Sequence, residues 1–197
     1  MIAGIDEAGR GPLAGSVCAA AVVLDGSNAI DGLRDSKKLS ERKRIDLSEE
    51  IKKKAISFGI AFCLPDEIDK YNIHVASLMA MSRAFEFLSV KVDKAFVDGR
   101  FAPDIECSTE CVIGGDNTIQ EIMAASILAK CARDIEMKKL AKIYPQYGFE
   151  KNKGYPTKFH KEALAEYGLS PIHRRTFGPC KTLILDSKRI DLDASSR

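Results

Sequence analysis

Apolar residues recur along the chain in short runs broken by glycine and charge, and the runs alternate between strand and helix character. IAGID at the start and SVCAAAVVL at 16–24 are compact apolar stretches of strand type, joined by a glycine-rich loop. Ser40 is placed to cap a helix reaching about Ala55, with Ile45, Leu47 and Ile51 facing inward. Three lysines at 52–54 sit near its C-terminal end, where the helix dipole favours cations. ISFGIAFCL at 56–64 reads as a third strand. In HVASLMAMSRAFEFL, 74–88, the apolar positions take helical spacing, so its Met and Phe side chains belong to a core. KAFVDGR (94–100) and ECVIGGD (110–116) read as two more strands, and Asp116 is placed to cap a long helix ending near Ile143.

Strands and helices that alternate after an early hairpin-like pair predict an α/β domain, a mixed central sheet flanked by helices. Beyond YPQYGF at 144–149 the chain becomes rich in Lys, Tyr and Pro. Residues 1–143 therefore read as the core and 144–185 as a small basic, mainly helical C-terminal subdomain packed on it, with 186–197 a flexible tail.

Composition narrows the classes. The 197 residues contain no apolar run near the roughly 20 needed to span a bilayer, so a helical membrane protein is excluded. Asp6, Glu7 and Arg10 interrupt the start, which argues against a signal peptide and for a cytoplasmic protein. Six cysteines without a CxxC pair read as reduced, mostly buried thiols rather than a disulfide framework or a zinc site. The net charge of +2 hides an asymmetry, because residues 138–197 hold 13 Lys and Arg against 6 Asp and Glu. An acidic part followed by a basic one suggests a carboxylate or metal site beside a surface for a polyanion.

The stretch GIDEAGRGPLAG, Gly4 to Gly15, sets Asp6 and Glu7 directly before a loop of glycines with Arg10. Asp6 and Glu7 follow one apolar strand and Asp98 ends another, and sites in open α/β sheets gather beyond the carboxyl ends of strands. The alternative is that Asp6 and Asp98 only start turns, as Asp before Gly often does. Asp134 lies on the apolar stripe of the long helix, and Ser126 and Lys130 precede it at intervals of four. A buried carboxylate there needs a metal or a partner, and Lys130 or Arg133 could supply an ion pair. If Asp6, Glu7, Asp98 and Asp134 meet, each pair about 4 Å apart repels by ~4 kcal/mol at an effective dielectric of 20. Divalent cations would balance such a cluster, and an all-oxygen ligand set selects Mg²⁺ or Mn²⁺ over zinc. The glycine loop lets backbone N–H groups approach a ligand, and Arg10 adds donors for phosphate. It is neither a Walker loop nor a GxGxxG turn.

These residues fall in blocks that resemble one family: GIDEAGRGPLAG, DSKKLS (35–40), FVDG (96–99), AASILAKCARD (124–134), NKGYPTKFHKEALAEYG (152–168) and HRRTF (173–177) are similar to ribonuclease HII, the type 2 ribonuclease H. The blocks stand in the family's order over nearly the whole chain, and the length resembles the bacterial single-domain form. The resemblance implies a ribonuclease H-like fold and metal-dependent endonucleolytic cleavage of RNA paired to DNA, including single ribonucleotides embedded in duplex DNA, leaving 3′-OH and 5′-phosphate ends. It implies that Asp6, Glu7, Asp98 and Asp134 hold two Mg²⁺ or Mn²⁺ ions. It also implies that Gly9, Arg10 and Gly11 sense the ribonucleotide 2′-OH and that Tyr155 stacks on the adjoining deoxyribose. Lys37 matches a phosphate-contacting lysine, and Ser126 and Lys130 match residues lining the site.

Hybrid recognition of this kind reads shape and the 2′-OH rather than base sequence, with Lys153, Arg174 and Arg175 expected to hold the nucleic-acid backbone. Gly114 replaces a common lysine and Asn152 a frequent histidine, departures that bear on duplex contacts and leave the acids intact. His160 and His173 read as structural or phosphate-contacting. The partners expected are RNA-DNA hybrid and ribonucleotide-containing duplex, for a monomer. KTLILDSKRI in the tail is not a convincing motif for a sliding clamp. The rival readings are a ribonuclease H-like nuclease of DNA junctions, indifferent to the 2′-OH, and a hybrid-binding module without catalysis.

Overall fold

The computed structural model describes every residue except 34, 35, 37, 38, 196 and 197, and for 187–195 it describes the backbone alone. Lys37 thus lies outside the described residues. Among these, five strands form one mixed sheet in the order β3-β2-β1-β4-β5. Their ranges are β1 Ile2–Ala8, β2 Val17–Val23, β3 Ser57–Cys63, β4 Lys94–Asp98 and β5 Ser108–Val112. The first three strands pair antiparallel, whereas β4 joins β1 and β5 joins β4 in parallel.

The helices are α1 Glu41–Lys54, α2 Pro65–Glu86, α3 Gln120–Ile143, α4 Phe149–Asn152, α5 Lys158–Tyr167 and α6 Gly178–Ser195. Among the described residues no helix is long and apolar enough to cross a membrane. Ser40 caps α1 as its sequence suggests, its side chain accepting from the Lys43 N–H. Helix α2 starts earlier than the spacing at 74–88 indicated, with Pro65 in its first turn, and breaks at Asn72, where φ is 67°. The Asn72 side chain accepts from the N–H groups of His74 and Val75, restarting the helix where the apolar periodicity begins. The backbone of 186–195, read above as tail, continues α6.

Alternation along the strands builds two cores. Ala3 and Ile5 of β1 with Ala19 and Ala21 of β2 pack under α2, while Cys18, Ala20 and Val22 of β2 meet α1 and α3 on the other face. Helix α3 lies so close to β1 that a Cβ at Gly4 would stand 2.1 Å from the carbonyl carbon of Glu121. Glycine at this position is what lets the start of α3 and the turn before it settle over the ends of β1 and β4. A third cluster, including Leu13, Met137, Tyr147, Phe149 and Leu164, joins the C-terminal helices to the glycine loop and to the far end of α3.

Candidate active site

The parallel register pairs Ile5 with Val97, so the next residues, Asp6 and Asp98, emerge side by side from β1 and β4. Residues aligned in neighbouring strands point to the same face. For Asp6 and Asp98 that is the face of Gly4, beneath α3. Carboxylate oxygens of Asp6, Asp98 and Asp116 all lie within 4.8 Å of one another. The Asp98 carboxylate also accepts from the Gly115 N–H at 2.8 Å, which ties the 115–117 turn to the end of β4.

The structure corrects two expectations here. Asp116 does not cap the long helix, which starts at Gln120 after Ile119. It sits instead in the preceding turn, 4% exposed, with its carboxylate in the cluster. Asp134 is not a member. Ser126 reaches the site, and Asp134 lies eight residues further along the helix, ~12 Å at 1.5 Å per residue. It is buried as its place on the apolar stripe required, but its partners are Lys130 at 2.6 Å and Arg44 at 3.2 Å. The ion-pair alternative therefore holds, with Arg44 as a second cation that sequence spacing did not reveal. Arg44 also donates to the carbonyls of Ser36 and Leu39, and Ser36 meets Ser126, hydroxyl to hydroxyl, at 2.9 Å. Asp134 thus anchors the segment flanking the site rather than the site itself.

Asp6 carries the electrostatic signature of the cluster. Burial first, and then the nearby charges of Glu7 and Asp98, push its carboxyl well above the usual carboxylate range, with Ser126 acting in the opposite direction. Glu7 is the next residue of β1, and its carboxylate pairs with Arg10 at 3.2 Å. Glu7, Gly9, Arg10, Gly11, Ser126, Lys130 and Tyr155 line one depression of about 260 Å³ together with Ala8 and Ser36. Seven of the residues singled out in the sequence therefore meet, although they come from β1, the glycine loop, α3 and the 153–157 loop. The Tyr155 ring rests over the loop, such that a Cβ on Gly11 would be 3.5 Å from its Cε1.

The glycine loop is held from below by two buried arginines. Arg174, 0% exposed, donates to the carbonyls of Gly9, Arg10, Gly15 and Ser16 at 2.7–3.1 Å. Arg133, equally buried, donates to the carbonyls of Ser16, Ala14 and Lys153. Burial depresses both guanidinium pKa values, that of Arg174 to about 9, with the neighbouring Arg133 adding to the effect. The role expected of Arg174, holding a nucleic-acid backbone, is not one this position permits: its donors are turned inward and occupied. Arg175 is the exposed member of the pair, with its backbone N–H on Asp69 at 2.8 Å. Gly9 is required where it stands, because φ is +99° and a Cβ would lie 2.0 Å from Arg133 Nε. Asn152, the departure noted above, donates to the Tyr147 carbonyl and accepts from the Gly154 N–H, shaping the loop that carries Tyr155.

The ribonuclease HII sequence model matches residues 3–180 of this chain. The chain belongs to the ribonuclease HII family. A ribonuclease HII of Marinomonas sp. strain MWYL1 is 55% identical over 185 residues, 93% of either chain. The crystal structure of ribonuclease H2 from Pyrococcus horikoshii OT3 matches with a TM-score of 0.81 at 29% identity, over 92% of this chain and 96% of that one. Ribonuclease HII of Archaeoglobus fulgidus, solved in complex with PCNA, matches with a TM-score of 0.70 at 25% identity, over 88% and 92% of the two chains. The mixed sheet with its flanking helices is thus a ribonuclease H-like fold. As a ribonuclease HII family member the chain is a ribonuclease H, an endonuclease acting on RNA paired with DNA.

Proposed function

We propose that this ribonuclease H cuts on the 5′ side of ribonucleotides, including single ones embedded in duplex DNA, with Mg²⁺ or Mn²⁺ held by Asp6, Asp98 and Asp116 and with Glu7 beside them. The observation that carries this reading is the convergence of three carboxylates within 4.8 Å at the strand ends, beside the depression lined by the glycine loop and Tyr155. The donor set fits a hard divalent cation, since every ligand atom is a carboxylate oxygen. The raised pKa of Asp6 fits as well, because a bound cation offsets the burial and repulsion that disfavour its ionised form. Two such ions, when bound, supply Lewis-acid stabilisation of charge on the phosphoryl oxygens and lower the pKa of an attacking water.

The chain's own groups do the selecting. With their carbonyls turned down onto Arg174, Gly9 and Arg10 belong to a loop whose upper side is free to meet a ribose, and Arg10 offers donors to a phosphate. Tyr155, 43% exposed, presents a ring over Gly11 for the sugar that follows the ribonucleotide. Lys130 and Ser126 line the same depression. Reading a 2′-OH and a sugar face makes recognition indifferent to base sequence. Removal of ribonucleotides misincorporated into DNA, and of RNA primers, is the role such specificity serves. A basic surface with Lys153 and Arg175 would add a salt-dependent contribution to binding.

The test is cleavage of an end-labelled DNA duplex containing one ribonucleotide, with Mg²⁺, Mn²⁺ or EDTA, against an all-DNA control. The expected result is a metal-dependent cut 5′ to the ribonucleotide that leaves 3′-OH and 5′-phosphate ends and spares the control. Cutting in EDTA, or equal cutting of the control, would overturn the reading.

A further inference from the structure

His160 and His173 are 0% and 1% exposed and face each other, Nε2 to Nε2, at 3.0 Å. Tyr147 and Phe149 wall them in, with ring centroids 4.8 Å from His173 and 5.3 Å from His160 respectively. The hydrogen bonds around the pair assign its protons. The Ser170 backbone N–H donates to His173 Nδ1 at 3.0 Å, so that nitrogen is an acceptor and the His173 proton is on Nε2. His173 Nε2–H then donates to His160 Nε2, and the His160 proton is left on Nδ1. That Nδ1–H donates to the Tyr155 carbonyl at 2.9 Å.

The result is a neutral wire from the 170–174 turn to the backbone of Tyr155. A second proton on either ring would set donor against donor, and burial pushes both pKa values down, His173 to about 4. Both ends of the wire return to the glycine loop. His173 bridges to Ala14, and Arg174 is the next residue, its N–H on the Leu13 carbonyl at 2.8 Å. At the other end the Leu13 N–H donates to the carbonyl of Gly154, the neighbour of Tyr155, at 2.8 Å.

We infer that His160 and His173 are positioning residues that fix the Tyr155 ring in register with the glycine loop, so that the two substrate-reading elements act as one unit. The inference rests on the reading of Tyr155 as a substrate contact given above. A glutamine side chain spans the same two partners, since its amide N–H can donate to the Tyr155 carbonyl while its oxygen accepts from His173 Nε2–H. Leucine spans neither.

The test is a double-mutant cycle on the duplex with one ribonucleotide, reading kcat and KM separately, with thermal melting to confirm folding. His160→Leu is expected to lower kcat/KM about tenfold, His160→Gln to restore most of it, and His160→Leu to cause no further loss in a Tyr155→Ala background. If Tyr155→Ala impairs cleavage and His160→Leu lowers it further by the same factor in both backgrounds, the positioning role is overturned and the site reading stands. If Tyr155→Ala is harmless, the substrate role of Tyr155 fails and this inference fails with it. Should His160→Leu not fold, His160→Asn, which is too short to reach both partners, replaces it in the cycle with the same expectations. Nitrogen-15 NMR of the folded wild type reads the wire directly, as the chain has only three histidines. Protonated His160 Nδ1 and His173 Nε2 are expected, and the opposite tautomers would sink the proposal.

Discussion

Strand β1 delivers Asp6 into a group of like charges, and the loop that continues it lies over two buried cations, so the two treatments of buried charge stand side by side in one short stretch of chain. Arg133 and Arg174 are surrounded by carbonyl oxygens, six of their seven hydrogen bonds going to the loop and one to Lys153. Such a cation is costly to bury and strongly held once its donors are matched. Asp6, Asp98 and Asp116 face each other, and the Asp6 carboxyl is driven toward its protonated form. The arginine arrangement draws its partners from the protein alone, with only Arg133 Nη1 lacking one among the described residues, and it underpins the loop. The carboxylate arrangement sets like charges against each other, which a divalent cation would relieve, and in the proposed function it is the reactive centre. In the proposed function, specificity is built on the first and chemistry on the second.

The largest effect expected from breaking this contrast is on the acid side. Asp116→Asn removes one charged ligand while keeping the shape, and should cut the rate at least about 10³-fold, the equivalent of several kcal/mol of transition-state stabilisation. Measured beside it, Asp134→Asn should cost tenfold at most, because that carboxylate serves Arg44 and Lys130. Equal losses in the two variants would return Asp134 to the site. On the arginine side, Arg174→Leu leaves the carbonyls of Gly9, Arg10 and Gly15 without this donor, while Ser16 keeps Arg133, and is expected to destabilise by about 3–5 kcal/mol in denaturant melts. Asp134→Asn should destabilise by about 2–3 kcal/mol, since its partners keep charge but lose a carboxylate.

Much of the fold was legible because periodicity and punctuation agree: the Ser40 cap, the apolar runs of β1 to β3 and the helical stripe of α3 are local facts. The acids at the ends of β1 and β4 were legible for the same reason, each closing an apolar strand before a glycine. Asp116 stands after ECVIGG much as Asp98 stands after KAFV, yet a helix follows it, and capping is the commoner use of Asp before a helix. Only the tertiary contact between the Gly115 N–H and Asp98 turns that residue into the cluster. Asp134 misled for the converse reason. Its burial was deducible from the helix face, and Lys130 is a partner the spacing offered, but its second cation comes from α1, 90 residues away in sequence. Arg174 looked like surface charge because a run of basic residues carries no sign of which member points inward.

The smallest effect, and the sharpest for the comparison, concerns stability without metal. Asp98 contributes to the raised pKa of Asp6, and an asparagine there can still accept from the Gly115 N–H. Asp98→Asn should therefore inactivate the enzyme yet raise the Tm in EDTA by roughly 2–4 °C, the shift that ~1 kcal/mol produces in a domain of this size. The sign with pH follows from linkage. A carboxyl whose folded pKa lies above its unfolded value takes up protons on folding, so stability is present at acid pH and is lost as pH rises from the ordinary value of 3.8 through the raised folded pKa. The Tm advantage of Asp98→Asn over wild type in EDTA should accordingly grow across that window and level off above it. If added Mg²⁺ binds the ionised wild-type cluster as proposed, it should erase or reverse the advantage at neutral pH and do little at acid pH. Melting curves of the two proteins from about pH 4 to 8, with and without Mg²⁺, read all of this at once. An advantage that is flat with pH, or untouched by Mg²⁺, would mean that the three carboxylates do not store repulsion in the folded protein.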